Sequence, residues 1–184
     1  MLEVFRPAYD RSMNPKFRIM INIPFFFLMS AILTLFFSNL YAQDIADKVI
    51  VNKSERKLYL LHEEKIIKDY NIALGLVPKG EKEKEGDFRT PEGDYFLQNR
   101  LVDSQYFLAI QISYPELKDL KRAKQLGVEP GGKIMIHGQP NDPKHSNVYY
   151  QSNDWTDGCI AVSNAAMVEI WQLTTNNTPI TIYP

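Results

Sequence analysis

The sequence predicts a mainly β domain with two short helices, folded as a β-sandwich or a partly closed barrel. Short apolar runs alternate with turns, and most connections between them are of hairpin length. Apolar residues recur at helical spacing in only two stretches. Many short strands separated by turn signals are typical of sandwiches and barrels.

The first three predicted strands form an antiparallel meander. Strand-like runs occupy residues 48–53, 56–62 and 65–74, with two-residue turns between them. Because such short turns join only antiparallel neighbours, these strands are expected to pair in sequence order.

A long loop is predicted next, over residues 75–93. It contains four glycines, two prolines and the charge run 81–85, which we interpret as solvated surface. A loop of this length in a compact domain is either functional or disordered. Residues 94–99 and 106–113 are then predicted as strands, with residues 101–105 linking them.

The first helix is predicted over residues 115–126. Pro115 suits its first turn and Gly127 its C-terminal cap. Its apolar residues recur at helical spacing: Leu117, Leu120, Ala123 and Leu126. A strand is predicted over residues 133–136, followed by a second long, polar loop over residues 138–156.

The C-terminal part is predicted as strand, helix and strand. Residues 159–162 are strand-like, and Ser163-Asn164 is a plausible N-cap for a helix over residues 165–173. Its core face is predicted to carry Val168, Trp171 and either Ile170 or Leu173. Residues 178–183 close the chain as a strand, which brings the count to about eight strands and two helices.

The first 42 residues have the pattern of a secretory signal peptide. Four Lys and Arg residues precede an apolar stretch from Ile19 to Phe37, and Ala42 is a small residue at the expected cleavage site. The alternative is an uncleaved anchor, since an apolar run of this length nearly spans a bilayer. In either case the folded domain, residues 47–184, is expected to be exported to the periplasm or cell envelope. It would contact the membrane only through residues 19–37, if they are retained.

Composition restricts the partners. The formal net charge is −1 over 184 residues and the charges are well mixed, so no nucleic-acid partner is expected. The chain has one cysteine, which cannot form an internal disulfide. In an oxidising compartment a single thiol is either buried or used.

Cys159 and His137 are the candidate catalytic pair. His137 lies 22 positions before Cys159 and ends an apolar run that begins at Ile134. Gly138 follows the histidine, and Gly158 precedes the cysteine. A histidine can take the proton of a thiol and return it to a leaving group. Backbone N–H groups around Gly158 would stabilise an oxyanion. The pattern predicts nucleophilic acyl transfer.

Two other interpretations of these residues stand beside the catalytic one. Cys159 and His137 each follow or precede apolar residues and could be ordinary core residues. A zinc site is disfavoured, because no pair among the candidate ligands has compact ligand spacing. Those candidates are His62, His137, His145 and Cys159.

The segments 134–138 and 156–164 together resemble the L,D-transpeptidase catalytic domain, the YkuD family. The family pattern is His-Gly at a strand end, then Ser/Thr-x-Gly-Cys, a hydrophobic residue and a downstream asparagine, here Asn164. Residues 86–93 are similar to the family's Thr-Pro-x-Gly turn. The resemblance extends over residues 47–184.

The resemblance implies a YkuD-like fold and a cysteine enzyme of peptidoglycan that needs no cofactor. Such an enzyme takes a tetrapeptide stem at the L,D-peptide bond after meso-diaminopimelate. Cys159 would attack that carbonyl, expel D-alanine and leave a thioester. An amine of another stem, a free D-amino acid or a lysine of a wall-attached protein would resolve it.

The resemblance also implies roles for individual residues. His137 would be base and then acid, oriented by a backbone carbonyl, while Gly158 and Cys159 would contribute oxyanion N–H groups. The substrate-binding residues would be Arg89, Gly138, Asp157, Trp155 and Asn164.

The chain departs from the family pattern at two positions. Asp157 stands where a histidine is often found, and Ala161 where an arginine often helps to hold the substrate. Arg89 is the candidate for a replacement charge. The motif Thr-Asp-Gly-Cys-Ile-Ala, residues 156–161, is similar to that of a smaller subgroup of the family, some members of which hydrolyse links in the cell wall. A thiol hydrolase acting on peptide or protein links to the stem is therefore the alternative function, and a wall-binding module with a dead site is a third.

Overall fold

The structure is a computed structural model that describes residues 44–184. The predicted signal peptide or anchor over residues 1–42 lies outside these residues. The strands are β1 Lys48–Asn52, β2 Lys57–His62, β3 Lys65–Asn71, β4 Gly93–Ser104, β5 Phe107–Ile112, β6 Met135–His137, β7 Ile160–Ala161 and β8 Pro179–Tyr183. The helices are α1 Leu117–Leu126, α2 Asn147–Ser152 and α3 Asn164–Leu173.

The strands form one sheet in the order β3-β2-β1-β8-β4-β5-β6-β7. The predicted meander is confirmed, since β1, β2 and β3 pair antiparallel in sequence order. Two pairs are parallel, β1 with β8 and β6 with β7. The second parallel pair positions the candidate site.

The mainly β class is confirmed, but the sheet is not a closed barrel. Its two ends nevertheless approach each other. Ala73, just after β3, exchanges N–H···O=C bonds of 2.8 Å with Ala161 of β7, and Gly75 forms a second bridge with Thr156. The segment after β3 therefore lies beside the strand that follows the cysteine.

The prediction of two helices is wrong for the described residues, which contain three. The additional helix, α2, lies inside the loop predicted over residues 138–156. The side chain of Ser146 caps it by accepting a hydrogen bond from the Tyr149 N–H. A helix of six residues with one buried side chain, Tyr150, is too short to show a helical period in the sequence.

The two predicted helices form, but with different buried faces. In α1 the leucines of the apolar stripe are exposed, and Asp119 is buried with Ala123 because its carboxylate accepts a hydrogen bond from the Tyr95 hydroxyl. In α3 the cap at Ser163 is confirmed. The predicted core face of Val168 and Trp171 is only partly buried. The buried residues of α3 are Ala166, Met167, Ile170 and Leu173.

One hydrophobic core lies between the sheet and α3 and includes fully buried residues of β1, β2, β4, β5, β6 and β7. At about 25 cal/mol per Å² of buried apolar surface, this core is the main stabilising term. Within residues 44–184, the helices are all too short or too polar to span a bilayer.

Candidate active site

The parallel pair β6–β7 places His137 and Cys159 on one face of the sheet. Ile136 lies opposite Ile160, and His137 opposite Ala161. Both isoleucines are fully buried in the core. Because side chains alternate along a strand, His137 and Ala161 point to the other face, which Cys159, two residues before Ala161, shares. The pairing thus brings the candidate base and nucleophile together.

A backbone carbonyl orients the imidazole, as expected. The Nδ1 atom of His137 lies 2.7 Å from the carbonyl oxygen of Gly138. Since that oxygen can only accept, Nδ1 carries the proton of the neutral ring and Nε2 is left as the basic nitrogen.

Burial keeps the imidazole neutral. His137 is 3% exposed, and this desolvation lowers its pKa to about 4, although the hydrogen bond to Gly138 acts in the opposite direction. At neutral pH the ring is therefore uncharged and able to accept a proton.

The thiol of Cys159 is also held in its neutral form. It is partly exposed, and it donates a hydrogen bond to the Lys133 carbonyl, 3.7 Å away, rather than to the imidazole. Desolvation raises the pKa of the thiol. A hydrogen bond with the main chain at Met135 lowers it, the charge of Asp157 raises it, and that of Lys82 lowers it. A nucleophilic role for this thiol would therefore require that it loses its proton as it attacks.

Thr156 closes the turn that carries the cysteine. Its buried hydroxyl accepts a hydrogen bond from the Gly158 N–H at 3.2 Å and donates one to the Cys159 carbonyl at 2.7 Å. The signal for this residue was its place in the Ser/Thr-x-Gly-Cys pattern. The predicted oxyanion donor Gly158 is thus engaged with Thr156 in this structure.

Gly158 is required by the backbone at this turn. Its φ is +126°, and a Cβ atom there would lie 2.7 Å from the Arg89 carbonyl oxygen. Any side chain would therefore both strain the backbone and overlap the loop behind the turn.

Gly138 and Asn164 lie together at the start of the loop between His137 and Cys159. A Cβ atom at Gly138 would lie 2.6 Å from Oδ1 of Asn164 and 3.0 Å from Cβ of Phe107. The same Oδ1 atom accepts a hydrogen bond from the Gln139 N–H at 2.8 Å. These contacts position the loop, and a role for either residue in binding substrate stays a prediction.

The guanidinium of Arg89 does not point at the thiol or the imidazole. It donates to the Glu81 carbonyl and lies 3.7 Å from the Glu83 carboxylate. The backbone carbonyl of Arg89, not its charge, reaches the cysteine turn. The replacement charge expected from Arg89 is therefore not delivered by its side chain in this structure.

Lys82 supplies a positive charge close to the cysteine instead. The interpretation of residues 81–85 as solvated surface is wrong at this position, since Lys82 is 4% exposed. Its ammonium donates to Asp87 at 2.8 Å and to the Lys84 carbonyl at 3.1 Å. Lys82 also lines a cavity of about 270 Å³ together with Ile134 and the exposed Asp157. A charge run gives no signal that one of its lysines is buried.

Two aromatic rings cover the imidazole. The centroid of the predicted site residue Trp155 lies 5.6 Å from that of His137, and the centroid of Tyr106 lies 4.6 Å away. Sequence reasoning missed Tyr106, because it was assigned to the start of a strand, whereas it lies in the turn between β4 and β5.

A larger cavity of about 670 Å³ lies between the β1–β2 turn and residues 151–154, and no predicted site residue lines it.

Comparison with known proteins identifies the family. The model of the YkuD family, described as the L,D-transpeptidase catalytic domain, matches residues 46–182. YafK of Escherichia coli (strain K12), whose name places it among the L,D-transpeptidases, is 30% identical over 145 residues, which cover 72% of this chain and 51% of YafK. The chain thus spans about half the length of the curated relatives it matches.

Solved structures agree in fold. The helical cell shape determining protein Pgp2 from Campylobacter jejuni matches with a TM-score of 0.55 and 28% identity, over 77% of this chain and 49% of Pgp2. Bd1075 of Bdellovibrio bacteriovorus matches with a TM-score of 0.54 and 28% identity, over 76% of this chain and 48% of Bd1075. An L,D-transpeptidase from Xylanimonas cellulosilytica shares the fold at 16% identity and a TM-score of 0.52, over 77% of this chain and 62% of that one.

Proposed function

Because the chain belongs to the YkuD family of L,D-transpeptidase catalytic domains, we propose that it is a cysteine-dependent L,D-transpeptidase that acts on peptidoglycan tetrapeptide stems. The reaction would serve wall crosslinking or remodelling. The similarity to Pgp2, which is described as determining helical cell shape, supports that role. We also propose that the domain acts outside the cytoplasmic membrane, which the signal-like pattern of residues 1–42 supports.

The observation that carries the proposal is the geometry of the pair. His137 and Cys159 share one face of two paired strands, and the Gly138 carbonyl reserves Nε2 of the imidazole for the thiol proton. Any buried imidazole needs an acceptor for its N–H, so the support comes from the position of the only cysteine of the chain on the same face as the free ring nitrogen.

The first half-reaction forms a thioester. The thiol, which donates to the Lys133 carbonyl in the free protein, turns to Nε2 of His137 and gives up its proton as sulfur attacks the stem carbonyl carbon. The tetrahedral oxyanion is stabilised by backbone N–H groups at Gly158 and Cys159, once the Gly158 N–H exchanges the Thr156 hydroxyl for the oxyanion. The C–N bond then breaks, and the imidazolium returns its proton to the departing D-alanine amine.

The second half-reaction consumes the thioester. The acceptor amine attacks the thioester carbonyl carbon, which forms the new C–N bond, and loses its proton to His137, whose burial keeps the ring neutral and ready to accept it. The C–S bond breaks and the thiolate recovers the proton. Acceptors of this chemistry are the side-chain amine of a second stem, a free D-amino acid or a lysine of a wall-attached protein.

One observation favours hydrolysis as the competing second step. Ala161 occupies the position on the catalytic face where the family often carries an arginine, and it is 2% exposed and bonded to Ala73. With no charge there to hold an acceptor, water would resolve the thioester and the enzyme would trim or release links to the stem.

The test is incubation of the full chain with purified tetrapeptide muropeptides, read by mass spectrometry. Crosslinked dimers or exchanged terminal D-amino acids, each with release of D-alanine, are expected. Tripeptide stems and D-alanine alone would assign the hydrolase instead.

Two variants serve as controls. Cys159→Ala and His137→Gln should abolish product formation, whereas His62→Gln, at a half-exposed histidine on β2, should leave it unchanged. Products that persist undiminished in Cys159→Ala would contradict the cysteine mechanism altogether.

A further inference from the structure

Tyr106 lies against the imidazole without being part of the reaction described above. Its ring centroid is 4.6 Å from that of His137, with an angle of 37° between the ring planes. Trp155 meets the imidazole edge-on, with ring centroids 5.6 Å apart and an angle of 70° between the ring planes. The two aromatic rings are themselves 5.9 Å apart. The three rings therefore form one cluster, in which side chains from two separate parts of the chain cover the imidazole.

The turn that carries Tyr106 is tightly held. The exposed side chain of Asn141 accepts a hydrogen bond from the Phe107 N–H at 2.9 Å and donates one to the Ser104 carbonyl at 2.7 Å. Its own N–H donates to the Gln105 carbonyl at 3.0 Å. Asn141, in the loop after His137, is thus hydrogen-bonded to the backbone at three positions in and beside the turn over residues 105–106.

The turn also stores backbone strain. Phe107 has a φ of +65°, which is unfavourable for a residue with an aromatic side chain. Its Cβ atom would lie 3.0 Å from a Cβ at Gly138, so the loop passes the turn closely only because residue 138 is glycine. Such strain persists only where neighbouring contacts enforce it, here those of Asn141.

We propose that Tyr106 is a positioning residue for His137, and that Asn141 holds Tyr106 in place. This inference rests on the proposed function, because it assigns the orientation of the imidazole to the catalytic step. The Gly138 carbonyl fixes one ring nitrogen, which leaves rotation about that bond free. The ring of Tyr106, tilted 37° from the imidazole plane, blocks this rotation and keeps Nε2 available on the face that His137 shares with the thiol.

Tyr106 also excludes water from the imidazole. The phenol ring is 37% exposed whereas His137 is 3% exposed, so the tyrosine forms the outer cover of the base. The Tyr106 phenol is the titratable group that packs on the ring, and the Cys159 thiol lies on the same face of the β6–β7 pair. Among the described residues, no carboxylate forms an ion pair with His137. Removing the cover should therefore change the hydration of the base without changing its charged neighbours.

The experiment compares Tyr106→Ala with the matched variant Tyr106→Phe, which keeps the ring and loses the hydroxyl. We expect Tyr106→Ala to lower kcat about three- to tenfold with KM unchanged within about twofold, as loss of one aromatic contact implies. Tyr106→Phe should retain activity within about twofold. Asn141→Ala should reproduce the loss of Tyr106→Ala in part, because it frees the turn without removing the ring.

A second measurement does not depend on catalysis. In the Cys159→Ala background, NMR titration of the three histidines should show the pKa of His137 rising from about 4 toward 6.5 in Tyr106→Ala and staying in place in Tyr106→Phe. An unchanged His137 titration, or a rise in KM with kcat intact, would overturn the proposal. Failure of the proposed function is recognised separately, as muropeptide products that survive Cys159→Ala.

Discussion

The two sides of the candidate pair His137 and Cys159 are held by different kinds of contact. The imidazole side consists of His137, Gly138, Tyr106 and Trp155, and the contacts there are one carbonyl and two aromatic rings. The thiol side consists of residues 156–159 and the loop over residues 82–89 behind them. That side contains hydrogen bonds, close backbone contacts and the buried Lys82–Asp87 ion pair.

The loop on the thiol side is organised by Asp87. Burial alone would raise the pKa of its carboxyl, but hydrogen bonds from Lys82 and from the N–H groups of Glu83, Lys84 and Arg89 lower it. The loop so formed places the Arg89 carbonyl against Gly158. Burial is the largest influence on the pKa of both candidate residues. The difference between the sides is that the charges of Asp157 and Lys82 also act on the thiol, whereas only a backbone carbonyl counteracts burial at the imidazole.

Gly158→Ala should break the thiol side with the largest effect. The new Cβ would lie 2.7 Å from the Arg89 carbonyl at a φ of +126°, so we expect a loss of about 2–4 kcal/mol in the free energy of unfolding. Displacement of the cysteine should lower kcat/KM at least about 100-fold. Urea denaturation and the muropeptide assay measure the two effects.

Gly127→Ala is the matched control for that substitution. Gly127 has a φ of +68°, but a Cβ there meets nothing within 4 Å, and it caps α1 away from the site. Gly127→Ala should lower the free energy of unfolding by about 1 kcal/mol and leave activity unchanged. Equal effects of both substitutions would show that the contact with Arg89 is unimportant.

On the imidazole side, the burial of His137 should make the free energy of unfolding depend on pH. The pKa of His137 is 6.5 for the ordinary group and about 4 in the folded protein. Because the folded value is depressed, the unfolded chain binds the proton first as the pH falls. The contribution of the neutral imidazole to the free energy of unfolding is therefore complete above about pH 6.5 and is lost as the pH falls through about 4. Between pH 7.5 and 4 this amounts to about 3 kcal/mol.

The measurement is the free energy of unfolding of wild type and His137→Gln across that range. Glutamine does not titrate, so the difference between the two curves isolates the histidine from the many carboxylates that also titrate. Wild type should lose about 3 kcal/mol more than the variant on acidification. Parallel curves would mean that the imidazole is hydrated in solution.

Substitutions of the charged residues near the thiol should have a smaller effect, which is seen in the reactivity of Cys159. Lys82 lowers the pKa of the Cys159 thiol and Asp157 raises it. Lys82→Met should therefore slow alkylation by iodoacetamide near pH 8 by about two- to fivefold, and Asp157→Asn should accelerate it. Lys82→Arg, which keeps the charge, should stay close to wild type. Changes of the same sign in Lys82→Met and Asp157→Asn would exclude an electrostatic cause.

Much of the fold could be predicted because its signals are local. Alternation and two-residue turns defined the meander, and Ser163 and Gly127 marked helix ends through hydrogen bonds to their immediate neighbours. The packed face of α1 could not be predicted in this way. Apolar spacing indicates a helix, but Asp119 is buried because Tyr95, distant in sequence, offers it a hydroxyl.

The site divides in the same manner. Its motif residues, Cys159, His137 and their neighbouring glycines, were named as candidates from the sequence because nucleophilic acyl transfer needs a thiol, a histidine and an uncrowded backbone. Tyr106 lies 31 positions before His137, and Lys82 lies 77 positions before Cys159. Neither has a local pattern that marks it, and Arg89 had the right charge but points elsewhere.

The sequence by itself determined the family, most of the strands and the candidate pair, since these depend on short-range spacing and on residue chemistry. The tertiary structure alone decided which groups surround that pair. Only folding brings the β4–β5 turn over the imidazole and the buried Lys82 behind the thiol. Exclusion of water and the placement of charge are properties of the packed surroundings, and they set how readily the pair exchanges a proton.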